Sequence, residues 1–220
     1  MKREIVKTSD GSTTIFLPEM DETYHSTHGA IQEAEHIFIK NGLIPIQSKT
    51  NEPISIFEMG LGTGLNALLT VIHSKGEIEY TGIEAFPVED DLIADLNYLS
   101  LVGAEHTPLF EDIMNAVWDQ KVEISHGFSL TKLHKKIQDY TMLKEAYDLI
   151  YFDAFGPRAQ SEMWNLEILS KMVDGLKSNG VLVTYCAMGQ FKRDLKSLGL
   201  SVEALPGPPG KREMTLARKS

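Results

Sequence analysis

Short apolar runs alternate along this chain with longer segments of helical periodicity, and few folds accommodate that order. Runs of β-forming residues and the helix-period segments between them occupy, in turn, 54–57, 64–75, 78–83, 88–99, 121–124, 129–139, 147–152, 161–177 and 180–185. The alternation predicts a parallel sheet whose strands are connected by crossover helices. A length of 220 residues fits one such α/β domain.

The two ends of the chain depart from this alternation. After the fifth apolar run, a short helix at about 187–198 precedes two strand-forming segments, 201–205 and 213–217, which a Pro- and Gly-rich loop separates. This order predicts an antiparallel hairpin at one edge of the sheet. Before the first strand, we expect residues 1–50 to form an N-terminal extension that packs over the sheet, and residues 51–220 to form the α/β domain.

Charge is distributed unevenly over the chain. The formal net charge is −10, but residues 191–220 carry seven basic and three acidic side chains. A basic C-terminal edge on an acidic body can contact a polyanion locally, because charges interact within a Debye length of about 8–10 Å. Lys132, Lys135 and Lys136 are candidates to add to this edge. The simpler interpretation is a solvated surface helix and strand.

Composition disfavours membrane, secreted and metal-dependent classes of protein. No apolar run approaches the roughly 18 residues that span a bilayer, and no apolar stretch follows the basic residues at the start, so we predict no membrane contact and no secretory signal. Cys186 is the single cysteine, which excludes an internal disulfide. His25 and His28 lack a third ligand at suitable spacing, and we predict no metal site. These features are typical of a cytoplasmic protein.

A glycine-rich segment follows the first predicted strand and opens the first helix. It runs from Glu58 through Gly60 and Gly62 to Gly64. Glycines permit a tight turn and let backbone N–H groups approach a ligand. In the dinucleotide-binding fingerprint the third glycine stands three residues after the second, whereas here it stands two after it. This spacing and Glu58 disfavour an NAD-dependent dehydrogenase.

Two carboxylates flank the glycine segment. Glu58 ends the first strand, where it would repel a pyrophosphate and pair with an ammonium group. Glu84 ends the second strand, where a carboxylate can accept both ribose hydroxyls. S-adenosylmethionine, which has an amino-acid end and a ribose end, satisfies both. We therefore predict Glu58, the three glycines and Glu84 as cofactor-binding residues; an ordinary β-to-α turn with surface carboxylates is the alternative.

The fourth strand ends in Asp153, which Phe155 follows two residues later. Substrates of open parallel sheets meet residues beyond the carboxyl ends of the strands. An acceptor amine is protonated in water and has to lose a proton before its lone pair can attack. Asp153 can hold that amine and help the proton to leave, while the Phe155 ring offers a flat face to a planar base. We interpret both as catalytic; an N-cap beside a core Phe is the alternative.

Five further residues are candidates for ligand contact. Tyr24 and His25 form part of a polar, aromatic cluster in the extension, and we interpret them as lid residues at the cofactor. Trp164 begins a helix after the fourth strand and is either core or a stacking platform for the substrate. Lys211 and Arg212 follow the Pro- and Gly-rich loop and either hold substrate phosphates or belong to a solvated turn.

Longer stretches of the chain resemble a known family. They cover residues 21–26, 29–30, 33–39, 58–66 (EMGLGTGLN), 82–87, 153–157, 162–164 and 210–214. In this order they are similar to the methyltransferase module of the bacterial tRNA enzyme that makes 5-methylaminomethyl-2-thiouridine at the wobble position. The resemblance implies a class I S-adenosylmethionine-dependent methyltransferase, with a Rossmann-like, mostly parallel seven-stranded sheet and a C-terminal antiparallel hairpin. It implies methyl transfer to the aminomethyl group of a tRNA uridine, with Asp153 at the acceptor amine.

Two features differ from the family pattern. Longer family members continue into a flavin-dependent oxidase module that exposes the amine; we expect no flavin module in this chain, so that an upstream enzyme supplies the aminomethyl group. After the third strand the family has Gly-Asp, whereas this chain has His126-Gly127, which leaves the residue at the adenine unassigned. The expected partner is tRNA, bound weakly at its anticodon arm because the body of the protein is acidic.

Two other functions remain compatible with the sequence. A transferase of the same fold that acts on a small-molecule amine suits the acidic surface. A catalytically silent RNA-binding module would retain the glycine loop and the basic edge. Transfer of label from S-adenosylmethionine to tRNA, to small amines or to neither distinguishes these possibilities from the main one.

Overall fold

An eight-stranded sheet forms the centre of the molecule, and a three-stranded sheet precedes it along the chain. The computed structural model describes residues 2–220. The strands are β1 (Glu4–Lys7), β2 (Thr13–Leu17), β3 (Glu22–Thr23), β4 (Ile54–Met59), β5 (Ile78–Glu84), β6 (Lys121–Ser125), β7 (Phe128–His134), β8 (Tyr147–Phe152), β9 (Leu176–Thr184), β10 (Leu200–Pro206) and β11 (Glu213–Lys219). The α-helices are α1 (Ala30–Ala34), α2 (Ile44–Gln47), α3 (Leu65–His73), α4 (Asp90–Ala94), α5 (Tyr98–Val102), α6 (Thr107–Asn115), α7 (Leu166–Gly175) and α8 (Gly189–Ser197). A π-helical segment, Glu35–Leu43, joins α1 to α2, and 3₁₀ turns lie at Ala104–His106, Ile137–Asp139 and Ser161–Trp164.

The central sheet has the strand order β10-β11-β9-β8-β4-β5-β7-β6. Its five inner strands, from β9 to β7, run parallel. At one edge β11 is antiparallel to β9 and pairs with β10, and at the other edge β6 is antiparallel to β7. The predicted parallel sheet and terminal hairpin are confirmed. The predicted number of seven strands is wrong, because β7 forms an eighth strand where a helix is predicted.

Strand β7 overturns one helix prediction. Residues 129–139 were expected to be helical, but Phe128, Leu130 and Lys132 are buried at alternate positions, a period of two that is typical of a strand. The Lys132 ammonium donates to the carbonyl of Met114 at the end of α6. Burial lowers the pKa of Lys132 to about 8. Lys132 is therefore a buried capping group, and its predicted place on the basic edge is wrong.

The same correction moves the end of the third parallel strand. The apolar run at 121–124 is the antiparallel strand β6, and the chain turns at Gly127, where φ is +79°. The third parallel strand is β7, which ends at His134 and is followed by Lys135 and Lys136. These three residues, rather than His126 and Gly127, stand at the carboxyl edge of the sheet.

The chain enters the sheet at its centre, because β4 lies between β5 and β8. The strands that follow β4 lie on both sides of it, β5 and β7 on one side and β8 and β9 on the other. Such a switch point opens a crevice at the carboxyl ends of the strands. Five of the six residues are buried in both β4 and β8, as expected for strands covered on both faces. One face packs around Phe38 and Leu68, and the other packs around Ile168 and Leu195.

The N-terminal extension contains a sheet that the sequence did not predict. Strands β1, β2 and β3 pair antiparallel. Arg3 fastens this sheet beyond the end of β5, because its guanidinium donates to the carbonyls of Phe86 and Pro87 and pairs with Glu89. The π-helical segment packs against α3, β8 and β9. The predicted boundary at residue 50 falls in the connection between α2 and β4 and stays a prediction. Within residues 2–220, no helix combines the length and apolar character that a bilayer span requires.

Candidate active site

The turn from β4 into α3 approaches the end of β8 closely. Gly60 has a φ of +91°, and a Cβ placed on it would lie 2.5 Å from the backbone oxygen of Asp153. A side chain does not fit there without moving backbone. Gly62 also has a positive φ, +52°, and Gly64 leads into α3 with a φ of +75°. The loop backbone therefore forms one wall of a cleft beyond the parallel strands.

Glu84 ends β5 and lines this cleft. Its Oε2 accepts a hydrogen bond of 3.0 Å from the N–H of Gly62, and its Oε1 accepts one of 2.9 Å from the N–H of Phe86. Each carboxylate oxygen has a further lone pair. The carboxylate can therefore fix the glycine loop and still accept hydrogen bonds from the hydroxyl groups of a ribose. The Phe86 ring is 61% exposed on the same rim of the cleft.

Glu58 is fully buried and does not line the cleft. Its Oε1 accepts a hydrogen bond of 2.8 Å from Asn66 Nδ2, and its Oε2 accepts one of 2.8 Å from the hydroxyl of Tyr80. Burial raises the pKa of Glu58 well above its ordinary value. The predicted pairing of Glu58 with the ammonium group of a ligand is corrected by this geometry, because the carboxyl group lies behind the cleft wall.

Asp153 follows β8 and lies half-buried in the wall of the cleft. Its N–H donates to the carbonyl of Met59 at 3.0 Å, and its Oδ2 accepts a hydrogen bond of 2.8 Å from Asn66 Nδ2. Burial and then the charge of Glu33 raise the pKa of Asp153 to about 7. A carboxyl group with this pKa can take up and release a proton near neutral pH, as general-base catalysis requires.

Two aromatic rings stand next to this carboxyl group in the cleft. The rings of Tyr24 and Phe155 pack edge to face with their centroids 5.0 Å apart. Trp164 is only 7% exposed, does not line the cleft, and packs against Phe152 and Phe191. Its Nε1 donates to the carbonyl of Phe155 at 2.8 Å. Of the two roles that the sequence left open for Trp164, this packing supports the core role, in which the side chain holds the Phe155 loop.

His25 brings the N-terminal extension into the cleft. Its Nδ1 lies 3.3 Å from the hydroxyl of Thr14, and its ring packs edge to face with the ring of Tyr98. Burial lowers the pKa of His25 to about 4, so the ring is neutral near pH 7. Tyr24 and His25 thus reach the cleft as lid residues would, and their contact with a cofactor stays a prediction.

Lys211 enters the cleft from the loop of the β10–β11 hairpin. Its ammonium pairs with Oε1 of Glu33 and lies 3.9 Å from the centroid of the Tyr185 ring. Glu33 is 8% exposed, and its other oxygen accepts a hydrogen bond of 2.7 Å from the N–H of Ser26. The side chain of Arg212 is 93% exposed outside this cleft. The two basic residues therefore occupy different environments.

The cleft has a volume of about 950 Å³, at the upper end of the range of small-molecule sites. Eight predicted site residues line it: Tyr24, His25, Gly60, Gly62, Glu84, Asp153, Phe155 and Lys211. The backbone at Gly62 is bare, and a Cβ there would lie 3.3 Å from the Tyr24 ring. This backbone and the Glu84 carboxylate fit an adenosyl cofactor, and the cleft leaves room for an acceptor. Across residues 2–220, no group of three or more His, Cys, Asp or Glu side chains is arranged to hold a metal ion.

Asn66, Glu33 and Tyr185 are among the residues of the cleft that escaped prediction from the sequence. Asn66 stands among apolar residues in the first turn of α3, and a lone polar residue on a buried helix was a usable signal. Glu33 carried no such signal, because its partner Lys211 lies 178 residues later in the chain.

Comparisons with known proteins are consistent with this cleft. Residues 106–220 match a family model described as S-adenosyl-L-methionine-dependent methyltransferase. The chain is 29% identical, over 98% of its length, to the tRNA 5-methylaminomethyl-2-thiouridine biosynthesis bifunctional protein MnmC of Cupriavidus metallidurans, of which the match covers 34%. The protein of the same name in Hydrogenovibrio crunogenus is 26% identical over 90% of the chain and is covered over 31% of its length. The chain thus spans about a third of the length of these curated relatives.

Solved structures show the same architecture. MnmC2 from Aquifex aeolicus superimposes with a TM-score of 0.82 at 26% sequence identity, over 98% of this chain and 70% of that one. Spermidine synthase from Thermotoga maritima superimposes with a TM-score of 0.63 at 17% identity, over 99% of this chain and 69% of that one. At the latter identity the likeness concerns the fold alone.

Proposed function

The chain belongs to the family of S-adenosyl-L-methionine-dependent methyltransferases, and we propose that it methylates the amino nitrogen of 5-aminomethyluridine, or of its 2-thio form, at the wobble position of tRNA. S-adenosylmethionine is the methyl donor. The names of the MnmC relatives support tRNA as the substrate. The similarity to MnmC2 over nearly the whole chain supports the same acceptor.

The position of Asp153 is the observation that supports an amine as the acceptor. It lies in the same cleft as Glu84 and the glycine loop, at the end of the strand next to β4. A carboxylate adds little to attack by carbon, whereas a protonated amine needs both a hydrogen-bond acceptor and a base. With a pKa of about 7, Asp153 can serve as both near neutral pH.

In this proposal the side chains of the acceptor site divide the binding of the amine, the removal of its proton and the stacking of the base among them. S-adenosylmethionine supplies an electrophilic methyl group, so a C–N bond forms as the C–S bond breaks. Asn66 holds Oδ2 of Asp153, which leaves Oδ1 to accept an N–H of the amine and align its lone pair. The proton that the amine loses passes to Asp153 and then to water. Phe155 and Tyr24 offer aromatic faces to the uracil ring.

On the cofactor side, we assign the ribose hydroxyls to Glu84 and the close approach of the loop backbone to Gly60 and Gly62. Gly64 sets the angle at which α3 leaves the loop. Glu58 acts from behind the wall through Asn66, and Tyr24 and His25 cover the site from the extension. These roles, like the division into an extension of residues 1–50 and a methyltransferase domain of residues 51–220, belong to the proposal.

Basic groups near the mouth of the cleft support contact with an RNA backbone. Lys135 and Lys136 line the cleft beyond β7, and Arg212 projects from the hairpin loop. The net charge of −10 opposes binding elsewhere on the surface, so we propose that the protein contacts the anticodon arm alone. It would work in the cytoplasm, on tRNA whose primary amine a separate upstream reaction has formed, because methyl transfer does not create that amine.

Replacing Arg212 with Ala should weaken tRNA binding, most strongly at low salt. Loss of one phosphate contact reduces the slope of log affinity against log salt by about 1, and a binding titration between low and moderate salt measures it. Lys75→Ala removes another exposed cation, which precedes the amino end of β5, and serves as the control. An unchanged slope for Arg212→Ala would remove this residue from the RNA surface.

Radiolabelled S-adenosylmethionine tests the proposal as a whole. The purified protein is incubated with tRNA from cells blocked after the aminomethyl stage, and with tRNA that lacks the aminomethyl group. Label in the first tRNA alone supports the proposal. Label only in added polyamines would favour a small-amine transferase, a candidate that the acidic side chains of Glu22, Glu33 and Asp153 in the cleft also suit. Cofactor binding without transfer to either would favour a silent RNA-binding module.

A further inference from the structure

One amide links the acids at the ends of the two central strands. Nδ2 of Asn66 donates to Oε1 of Glu58 and to Oδ2 of Asp153, both at 2.8 Å. Glu58 belongs to β4, Asp153 follows β8, and Asn66 comes from α3. The side chain of Asn66 is 3% exposed. A buried carboxamide is thus shared between two carboxyl groups at the switch point of the sheet.

The orientation of this amide follows from its neighbours. The NH₂ group of Asn66 faces both acids, an arrangement that suits carboxylates because an ionised carboxylate only accepts hydrogen bonds. Oδ1 of Asn66 is buried and has no hydrogen-bond partner among the described residues. A fold seldom leaves a buried acceptor unpaired. The two donors, rather than the acceptor, therefore account for a carboxamide at this position.

Glu58 and Tyr80 give the amide a fixed support. The Tyr80 hydroxyl donates to Oε2 of Glu58 at 2.8 Å, and both side chains are almost fully buried. A chain of hydrogen bonds runs from Tyr80 through Glu58 and Asn66 to Asp153. The first three side chains are buried, and Asp153 lies in the wall of the cleft. Such a buried network holds its terminal group in one orientation.

We propose that Asn66 is a positioning residue that fixes Asp153 for the acceptor amine, and that Glu58 contributes to the reaction through Asn66 rather than by contact with the cofactor. This inference rests on the proposed function only for the identity of the amine. Because Asn66 occupies Oδ2 of Asp153, rotation of the carboxyl group would break the hydrogen bond, and Oδ1 stays directed at the acceptor. Errors of about 1 Å in such an alignment cost as much as about 100-fold in rate.

The hydrogen bond from Asn66 also favours the ionised form of Asp153 and opposes the effect of burial on its pKa. The other titratable or charged groups around Asp153 come from several elements: Glu33 of α1, Glu58 of β4, Tyr80 of β5, Tyr185 after β9 and Lys211 of the hairpin loop. Lys211 favours the carboxylate, whereas Glu33 disfavours it. Removing Asn66 alone should therefore raise the pKa of Asp153.

The decisive experiment replaces Asn66 with Ala and measures Asp153 directly. Carbon-13 NMR of labelled aspartate carboxyl groups, assigned by the loss of one signal in Asp153→Asn, follows the titration of Asp153 without any substrate. We expect a higher pKa in Asn66→Ala than in the wild type. Thr70→Val is the matched control, since it removes the hydroxyl that donates to the backbone carbonyl of Asn66 on the same helix and leaves the amide bridge intact. An equal Asp153 pKa in Asn66→Ala and wild type would overturn the proposal.

Turnover supplies the second measurement. Asn66→Ala should lower kcat by about 10- to 100-fold. The acid limb of its pH–rate profile should move to higher pH, while the affinity for S-adenosylhomocysteine should stay within about threefold of the wild type. If Asn66 acts through Asp153, the two effects are not additive, and Asn66→Ala should change little when combined with Asp153→Asn. Additive effects would show that Asn66 acts independently of Asp153, and a lost affinity for S-adenosylhomocysteine would show that it serves the cofactor; either result overturns the proposal. If Asn66→Ala does not fold, Asn66→Ser, which keeps one donor, is measured in its place.

The NMR result separates this inference from the proposed function. A wild-type protein that labels no tRNA would refute the substrate and leave the coupling between Asn66 and Asp153 measurable. Conversely, normal tRNA labelling with an unperturbed Asp153 in Asn66→Ala would refute the positioning role and leave the substrate standing.

Discussion

Asp153→Asn should lower the kcat of methyl transfer by about 100-fold or more, while the affinity for S-adenosylhomocysteine stays close to that of the wild type. The substitution keeps the size of the side chain and removes its charge and its ability to take a proton from the amine, a contribution of about 10²- to 10⁴-fold. Single-turnover rates with saturating cofactor and tRNA, together with calorimetric titration of S-adenosylhomocysteine, measure the two quantities.

A matched control lies on the same strand. Asp148, near the start of β8, accepts a hydrogen bond from the N–H of Ser55 and pairs with Lys177 at the opposite edge of the sheet. Asp148→Asn makes the same chemical change away from the cleft, and its effect should appear in stability rather than in kcat. Equal kcat values for Asp153→Asn and wild type would exclude Asp153 from the mechanism.

The pH dependence tests the same residue in a different way. The reaction needs Asp153 in its ionised form, and burial raises its pKa to about 7. The rate constant kcat/KM should therefore rise with pH through a limb near 7 and level off above it. This limb should be missing in Asp153→Asn, because an amide does not titrate. The positive charge of bound S-adenosylmethionine favours the carboxylate, so the corresponding limb of kcat should lie at lower pH.

The central part of the fold was predictable because its signal is local. Strands β4 and β8 are buried on both faces, so they stand out as apolar runs. Strand β7 alternates buried and partly exposed residues. Polar residues follow it directly in the chain, and the combined segment resembles an amphipathic helix. Strands β1 to β3 have four, five and two residues, too few to establish a period, and their pairing depends on residues that only the fold brings together.

The candidate site divides in the same way. A residue that ends a parallel strand lies at the carboxyl edge of the sheet independently of the other segments of the chain. The positions of Glu84 and Asp153 were therefore predictable from the sequence. Position along the chain does not determine which side chains from distant segments a residue contacts. Glu58 turns toward Tyr80 and Asn66, and Trp164 turns into the core, because packing partners from distant segments set these directions.

Glu84→Ala should raise the Kd for S-adenosylmethionine by about 100-fold and change kcat at saturating cofactor far less. The carboxylate holds the glycine loop through the N–H groups of Gly62 and Phe86, and in our proposal it also accepts the ribose hydroxyls. Hydrogen bonds to a charged group contribute about 1.5–3 kcal/mol each, so losing the ribose contacts alone accounts for an effect of this size. Glu79→Ala, an exposed position on the same strand that pairs with Lys121, should leave the Kd unchanged.

A cofactor analogue distinguishes contact with the ribose from support of the loop. We expect 2′-deoxy-S-adenosylhomocysteine to bind the wild type more weakly than S-adenosylhomocysteine, because the deoxy analogue lacks one of the hydroxyls that Glu84 accepts. In Glu84→Ala the difference in affinity between the two ligands should become small, since the partner of the hydroxyl is gone. If both proteins discriminate equally between the two ligands, Glu84 serves the loop alone and the ribose is bound elsewhere. Calorimetry of four combinations, two proteins and two ligands, gives this coupling without any measurement of activity.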